Sequence, residues 1–291
     1  MKNIVAICLL LLIAACAPTP EQEQTENTPT TTKAPSLQEV WASDTLLRTP
    51  EAVLYDKERD VLYVANVNEA PWEKDNNGFI SKMDTKGNII DLHWVDGFHG
   101  PKGMGIVGAS LFVADIDEVV EIDINQGIIL NRYSVADTPT LNDITVFNDK
   151  VYISGSDSNK VFELKDGKVD LILEGDFGRP NGLFAEADRL LMITSTSSEL
   201  KAFDLAAKTS TILVDSLGHG DGIVPVGNGD YLASSWRGEL FYITAEWKRT
   251  QLLDTRESAI NAADIDYIIA KNLLLVPTFF DNRVVAYQLK K

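Results

Sequence analysis

Cysteine is nearly absent from this sequence of 291 residues, and basic residues are outnumbered by acidic ones. There are 26 Lys and Arg against 43 Asp and Glu, which gives a formal net charge of −17. A nucleic-acid-binding protein needs Lys and Arg to neutralise phosphates, and docking on anionic lipid needs a basic patch. The charge balance therefore argues against both. With 45% hydrophobic and 24% charged residues, the composition is that of a globular protein with a sizeable core.

The most apolar run of the sequence is also short. Residues 4–15 are almost purely apolar, but a transmembrane helix needs about 20 such residues. Because Met1-Lys2-Asn3 precedes the run, it has the n-region and the h-region of a secretory signal peptide. Both cysteines belong to this region, with Cys8 inside the run and Cys16 directly after it. Residues 1–15 are therefore predicted to be a signal peptide.

The tetrapeptide IAAC (13–16) resembles the bacterial lipobox, in which the signal is removed before a cysteine that becomes lipidated. This resemblance implies a lipoprotein of the cell envelope that contacts the membrane only through an acylated Cys16. Ala17 is compatible with the outer membrane, on either its periplasmic or its surface side. A soluble secreted protein cut after Ala15 is the alternative. Residues 16–36 are rich in Pro, Thr, Glu and Gln and predict a disordered tether.

The rest of the chain repeats a pattern of short β-strands. Runs with alternating polarity and many β-branched residues follow one another, separated by turn residues. They form six groups, and the first run of each group begins at Glu51, Lys102, Asn142, Asn181, Asp221 and about Ala263. These starts recur every 39 to 42 residues after a first interval of 51. Six units of about four strands predict an all-β fold, a six-bladed β-propeller over residues 37–291.

The strand count also predicts how the ring closes. Five units have a fourth strand, but the sixth has none before Lys291, and one unassigned strand (39–47) precedes the first unit. Placing that strand on the outside of blade six removes an exposed sheet edge. In such a ring the first strand of each blade is innermost, so the six starting residues, with Asp264 beside Ala263, should converge on one mouth of the central channel.

Four segments at these positions resemble one family of propellers. The segments are PEAVLYD (50–56), LNDITVFND (141–149), RPNGL (179–183) and GDGIV (220–224). They are similar to the metal-site segments of the senescence-marker-protein, gluconolactonase and luciferin-regenerating-enzyme family, which is distantly similar to the paraoxonases. The order of the repeats over residues 37–291 matches as well. The resemblance implies one divalent cation in the channel, most often Ca²⁺, with Mg²⁺ or Mn²⁺ as alternatives.

By motif, the implied metal ligands are Glu51, Asn142, Asn181 and Asp221. Two carboxylates and two amide oxygens form an all-oxygen set, which suits hard cations and does not suit zinc. The alternative is that the Asn-Asp, Asn-Gly and Asp-Gly pairs make the turns that enter the inner strands. The family pattern is not matched throughout, because Ala52 stands where the family commonly has glycine.

Three further side chains are candidates for substrate binding at the same mouth. Lys102 could pair with a channel carboxylate, hold an anionic substrate or stabilise an oxyanion, and a simple counter-ion role is the alternative. The loop at 67–77 is longer than its counterparts in the other blades, and Trp72 within it could form a wall of the pocket. A solvated surface loop is the alternative there. Trp236, in the corresponding loop of blade five, could line the same mouth.

The resemblance implies a divalent-metal-dependent hydrolase that opens a lactone, a related ester or a sugar-derived ligand. Asp221 is the first candidate for the general base by resemblance, and His219 is the second because a loop histidine can titrate near neutral pH. His99 is a weaker candidate. A non-catalytic, lipid-anchored propeller that binds a ligand or a protein and holds a structural metal is the alternative. No Cys/His cluster or phosphate-binding loop supports zinc, redox or nucleotide chemistry.

Overall fold

Six antiparallel sheets of four strands each make up the computed structural model, which describes residues 34–291. The predicted six-bladed β-propeller is confirmed. The predicted signal peptide (1–15), Cys16 and the predicted tether up to residue 33 lie outside the described residues. In the described part, no helix has the length and apolar character needed to cross a membrane.

Each blade is a meander that runs from the channel to the rim. Blades one and two contain β2 (Pro50–Asp56), β3 (Val61–Asn66), β4 (Gly78–Asp84), β5 (Ile89–Phe98), β6 (Pro101–Val107), β7 (Ser110–Asp115), β8 (Glu118–Asp123) and β9 (Ile128–Ser134). Blades three and four contain β10 (Leu141–Phe147), β11 (Lys150–Gly155), β12 (Lys160–Lys165), β13 (Lys168–Glu174), β14 (Pro180–Ala185), β15 (Arg189–Thr194), β16 (Leu200–Asp204) and β17 (Thr209–Val214).

The same order continues in the last two blades. They contain β18 (Gly220–Gly227), β19 (Asp230–Ser235), β20 (Glu239–Ile243), β21 (Arg249–Asp254), β22 (Asp266–Ile268), β23 (Leu273–Pro277), β24 (Val284–Lys290) and, on the outside of blade six, β1 (Ser36–Ala42). Three short 3₁₀ turns lie at Arg256–Ser258, Ile269–Lys271 and Phe279–Asp281.

The core of the protein lies between the blades. Every residue of β3 (VLYVAN) and of β23 (LLLVP) is buried, because a neighbouring blade covers each face of these strands. The outer strand β9 (IILNRYS) has another strand of its sheet along one edge only, and its residues are largely exposed. Six apolar clusters each fill one gap between adjacent blades. Each blade is therefore held by its two neighbours, and the inner strands are positioned by packing on both sides.

The N-terminal strand closes the ring as predicted, but at a different place in the sequence. β1 pairs antiparallel with β24 and covers residues 36–42, whereas the prediction was 39–47. The strand ends because Ser43 leaves the ladder. The Val284 N–H donates to Ser43 Oγ (3.1 Å), and the Ser43 N–H donates to the Val284 carbonyl (2.9 Å). The side chain and the backbone of Ser43 together satisfy the backbone N–H and carbonyl of Val284. The chain then turns away from the sheet.

Blade six also joins blade one beside the channel. β22 begins three residues after the predicted Ala263, and Asp264 instead forms an isolated parallel bridge with Ala52. The Asp264 N–H donates to the Glu51 carbonyl (2.9 Å), and the Val53 N–H donates to the Asp264 carbonyl (3.4 Å). The ring is therefore closed twice, at its rim and at its centre.

Candidate metal and substrate site

The five residues that the sequence predicts for blades one to five all lie in β-bulges of the inner strands. The pairing between the first and second strands of these blades skips from Pro50 to Ala52, from Pro101 to Met104, from Leu141 to Ile144, from Pro180 to Leu183 and from Gly220 to Ile223. A bulge leaves its extra residues unpaired and redirects their side chains. The bulges contain Glu51, Lys102, Asn142, Asn181 and Asp221, and these side chains line one cavity.

The Asn-Gly and Asp-Gly pairs are not turns. Asn181-Gly182 and Asp221-Gly222 lie within β14 and β18, and neither glycine has a positive φ. Glycine is needed because adjacent inner strands approach closely. A Cβ on Gly182 would lie 2.2 Å from the Asp221 carbonyl oxygen, and a Cβ on Gly222 would lie 2.5 Å from Asp264 Oδ1. The turn interpretation of these pairs is therefore wrong.

The cavity measures about 290 Å³ and lies at one mouth of the channel. The five bulge side chains are buried, with exposed fractions between 1% and 6%. The other lining residues are Pro71, Trp72, Arg179, His219, Trp236, Phe279 and Phe280. Ligand pockets in proteins usually measure about 300–1,000 Å³. This cavity therefore has the size for a small molecule.

Three of the four predicted metal ligands carry a buried oxygen without a hydrogen-bond partner among residues 34–291. These atoms are Glu51 Oε2, Asn181 Oδ1 and Asp221 Oδ1. A buried oxygen left without a partner costs about 1–3 kcal/mol, and more when it is charged. Asn142, the fourth predicted ligand, is also buried in the cavity wall. Four oxygens from carboxylates and amides fit a hard divalent cation.

The described residues contain no cluster of three or more His, Cys, Asp and Glu side chains that could hold a metal. The predicted set has two such residues, Glu51 and Asp221, and its other two ligands are amides. Zinc and iron sites are usually built from the residue types of such clusters. The predicted set falls outside that kind of cluster because half of its members are asparagines, and the oxygen-ligand site stays a prediction.

Burial and crowding disturb the protonation of these groups. Burial raises the pKa of Glu51 to about 7, and the positive charge of Lys102 offsets part of that rise. Burial, followed by the charges of Glu51 and Asp143, raises the pKa of Asp221 well above its usual value. Carboxylates that share a small buried site repel each other. A divalent cation would balance the charges of Glu51 and Asp221.

Lys102 has no close counter-ion. Its side chain is 1% exposed, and Nζ lies 4.2 Å from the ring centroid of Trp72. Within residues 34–291, it makes no ion pair at 4.0 Å or less and no hydrogen bond. Burial lowers its pKa, and the charge of Glu51 is the largest contribution in the opposite direction. The ammonium group therefore lies at the cavity, beside the indole ring of Trp72.

Trp72 is held at the cavity by a loop that is anchored in two places. The Asn68 side-chain amide donates to a backbone carbonyl across the base of the loop 67–77 (2.9 Å). Further along, the Asn76 N–H donates to His99 Nδ1 (3.0 Å). The long loop is therefore fixed against the protein at both ends, while residues 73–76 are exposed to solvent. His99 is used in this anchor and does not line the cavity, so the weaker candidate base is misplaced.

His219 lies at the cavity with a free imidazole. Burial, followed by the charges of Arg179 and Arg237, lowers its pKa. Its backbone N–H donates to Ser235 Oγ (3.0 Å), which positions the residue. Its ring lies 6.2 Å from that of Trp236 and has no hydrogen-bond partner among residues 34–291. The lowered pKa favours the neutral form of the imidazole, which is the form that can accept a proton.

Sequence analysis missed two aromatic residues of the cavity. Phe279 and Phe280 follow β23 and pack edge-on against Trp236, with ring centroids 5.6 Å and 6.0 Å from it. They occupy the loop between the second and third strands of blade six, which is the loop position of Trp72 in blade one. The reasoning that found Trp72 and Trp236 would have found them too.

Arg179 is the other lining residue that sequence analysis missed. Its Nε donates to Asp157 Oδ1 (2.7 Å) and its Nη1 to Ser195 Oγ (3.3 Å). Its guanidinium carbon lies 6.0 Å from the ring centroid of Trp72. Arg179 is the first residue of the segment RPNGL (179–183), but that segment was interpreted only for Asn181.

The predicted sixth member of the ring lies elsewhere. Asp264 lines a separate cavity of about 360 Å³ together with Asp143 and Asp266. It does not line the cavity that contains Glu51 and Asp221. The reason is the parallel bridge to blade one, which holds the backbone of Asp264 one step further along the channel. The sequence-based placement of Asp264 at the mouth is therefore wrong.

Comparison with solved structures gives propellers at low sequence identity. A protein assigned as a gluconolactonase matches with a TM-score of 0.68 and 14% identity, over 88% of this chain and 93% of that one. Virginiamycin B lyase from Staphylococcus aureus, bound to quinupristin, matches with a TM-score of 0.63 and 11% identity, over 88% and 100%. A chain of a nidogen–laminin complex matches with a TM-score of 0.60 and 13% identity, over 72% and 81%. No family model and no curated protein matches the sequence. These likenesses show the fold alone.

Proposed function

We propose that this protein is a divalent-metal-dependent hydrolase that opens a lactone or a related ester at the mouth of its channel. The observation that carries the proposal is the set of buried oxygens without partners on Glu51, Asn181 and Asp221, which line one small cavity. The fold is shared with a protein assigned as a gluconolactonase, which supports the same reaction class. A sequence resemblance in the metal-site segments adds to this support.

Glu51, Asn142, Asn181 and Asp221 would hold the cation. Ca²⁺ fits this oxygen set, and Mg²⁺ and Mn²⁺ are the alternatives. When bound, the cation supplies a Lewis acid that polarises the substrate carbonyl and stabilises the negative charge that develops there. In the reaction, a bond forms between a water oxygen and the carbonyl carbon, and the ester C–O bond breaks. The proton of that water passes through a base to the departing alkoxide.

We assign the base to His219. Asp221 is the competing assignment, but its charge is needed to hold the cation, which leaves it a poor proton acceptor. The His219 imidazole is half-buried and free of hydrogen bonds in the described part of the chain, and its lowered pKa favours the neutral form. Its position in the wall of the same cavity puts it within reach of a water molecule beside the bound substrate.

The test is hydrolysis of a panel of lactones and aryl esters by the full chain, first with EDTA and then with Ca²⁺, Mg²⁺ or Mn²⁺ added. Asp221→Asn should weaken binding of the cation about 100-fold or more, because losing one partner of a buried ion pair costs about 3–5 kcal/mol. The matched control is Asp149→Asn, in the exposed turn after β10. His219→Gln should lower turnover and leave cation binding unchanged. If turnover survives EDTA, or if Asp221→Asn binds the cation as before, the proposal is wrong.

A binding propeller with a structural metal is the second candidate. Phe280 leaves 62% of its surface exposed beside the cavity, and one structural neighbour comes from a complex of two proteins. Binding of the cation without turnover on any member of the panel would favour this function.

We also propose that acylation of Cys16 tethers the protein to the cell envelope, at the outer membrane in view of Ala17. Cys16→Ser should release the chain from membranes into the soluble fraction. Unchanged membrane association of that variant would contradict the anchor.

A further inference from the structure

The cavity at the channel mouth contains the ammonium group of Lys102, which has no partner at hydrogen-bond or ion-pair distance in the described part of the chain; the carboxylates of Glu51, Asp115 and Asp221 act on it from further away. Lys102 is 99% buried, and its ammonium makes no hydrogen bond and no ion pair at 4.0 Å or less within residues 34–291. Its nearest aromatic neighbour is Trp72, at 4.2 Å. A buried ammonium without a partner is unfavourable, since a cation–π contact replaces only part of its lost hydration. A negatively charged group of a ligand would supply the missing partner.

Arg179 places a second cation at the same wall. Its guanidinium carbon lies 6.0 Å from the Trp72 ring, so both cations lie near one indole. Nε and Nη1 are bonded to Asp157 and Ser195, which fixes the orientation of the guanidinium plane. Nη2 has no partner among residues 34–291. A carboxylate between Lys102 and Arg179 would therefore find free donors on both.

When the proposed divalent cation is bound, the charges that line the cavity favour an anionic ligand. This step rests on the proposed function. A divalent cation balances Glu51 and Asp221. Asp157 balances Arg179 in part, from a position that is 57% exposed. Among the charged side chains that line this cavity, Lys102 then remains without a counter-charge, and Asp115 acts on it only from beyond ion-pair distance. A negatively charged group of a ligand would supply a close counter-charge to Lys102.

The rest of the cavity is aromatic. Trp236, Phe279 and Phe280 form an edge-to-face cluster, with 4.8 Å between the two phenylalanine ring centroids. Phe280 is 62% exposed, which is unusual for a phenylalanine. A cluster of this kind offers an apolar surface to a ring or an alkyl chain of a ligand.

We propose that the site takes a small organic acid, with one carboxylate held by Lys102 and Arg179 and an apolar group packed on Trp236 and Phe280. The substrate class is then a lactone or ester that carries a free carboxylate. Neutral sugar lactones would lack the group that the cations recognise. The cavity volume of about 290 Å³ limits the ligand to roughly the size of a substituted aromatic acid.

The test is binding of phenylacetate and of phenylacetamide to the full chain saturated with Ca²⁺, measured by calorimetry without any turnover. The two probes share a shape and differ in charge. We expect phenylacetate to bind at least about tenfold more tightly, the usual gain from a charge-assisted hydrogen bond. Lys102→Met should remove this preference and leave phenylacetamide unaffected. Lys82→Met is the matched control, because Lys82 also lies over a tryptophan (5.8 Å from Trp94) but outside the cavity.

The comparison of the two probes on the unaltered protein needs no variant, so it decides the question even if Lys102→Met fails to fold. Arg179→Gln provides a second variant and should weaken phenylacetate binding alone. Equal binding of the two probes, or a preference that survives both substitutions, would overturn the inference. Either result would leave metal-dependent turnover of neutral lactones untouched. Selective phenylacetate binding in a protein that hydrolyses nothing would support the inference and contradict only the hydrolase.

Discussion

Replacing Gly182 by alanine is the most direct test of how the inner strands create the site. The added Cβ would lie 2.2 Å from the Asp221 carbonyl oxygen and 3.0 Å from the Cα of Gly222. Backbone atoms of the next blade cannot rotate away as a side chain would. The inner strands of blades four and five would have to separate by about 1 Å before the contact reaches ordinary van der Waals distance. Overpacking of this kind costs about 1–3 kcal/mol, and we expect a value near the upper end.

The assay is urea unfolding of Gly182→Ala beside Gly108→Ala. Gly108 has a φ of +58° but no atom within 4 Å of an added Cβ, so its substitution costs only the left-handed backbone penalty of about 1 kcal/mol. Calorimetry should also show weaker Ca²⁺ binding in Gly182→Ala, because the separation moves Asp221 away from Asn181. If the two variants unfold at the same urea concentration, the close approach of the inner strands is not the reason that position 182 needs glycine. If Gly182→Ala binds Ca²⁺ as the unaltered protein does, the two ligands do not depend on this spacing.

Three further predictions concern protonation, closure and the outer anchor of the cavity loop. The pKa of Glu51 is raised to about 7, and a bound cation needs the ionised carboxylate. The affinity for Ca²⁺ should therefore be full above pH 7 and fall about tenfold per pH unit below it. Equal affinity at about pH 6 and about pH 8 in calorimetry would contradict the ligand role of Glu51. Removal of residues 1–42 should lower the melting temperature by about 10 °C relative to removal of residues 1–33, because it unpairs β24 and exposes a sheet edge; equal melting would refute closure by β1. His99→Ala should remove the hydrogen bond to Asn76 and loosen the loop that holds Trp72. Phenylacetate binding should then weaken, while Ca²⁺ binding stays unchanged. Loss of Ca²⁺ binding in that variant would show that the anchor supports the metal site instead.

The repeat carried most of the information about the fold. Strand patterning is local, and the six units follow one another at almost constant spacing, so the number of blades and the identity of their inner residues could be read without a structure. The position of β1 was harder to predict. The strand 36–42 and its predicted place at 39–47 have similar local patterns, and only the bond between Ser43 and Val284 decides where pairing stops.

Part of the candidate site could likewise be predicted from the sequence, and part of it could not. Glu51, Asn142, Asn181 and Asp221 were accessible to sequence reasoning, because each begins an inner strand and matches a segment of a known pattern. Their presence in bulges was not accessible, because the unpaired residue is defined by its partner strand. The role of the following glycines was misread for the same reason. Close approach between Gly182 and Asp221 is a distance between two blades, and no local pattern contains it.

By itself, the sequence determined an all-β ring of six four-stranded blades, closed by its own N-terminal strand, with two acids and two amides at the start of its inner strands. It could do so because strand alternation and repeat length depend on neighbours in the chain. The tertiary structure decided which other groups join them. It brought Arg179 and Phe280 to the mouth, placed Lys102 there without an ion-pair partner among residues 34–291, and put Asp264 in a separate cavity. Those outcomes depend on how blades distant in the sequence pack against one another around the channel.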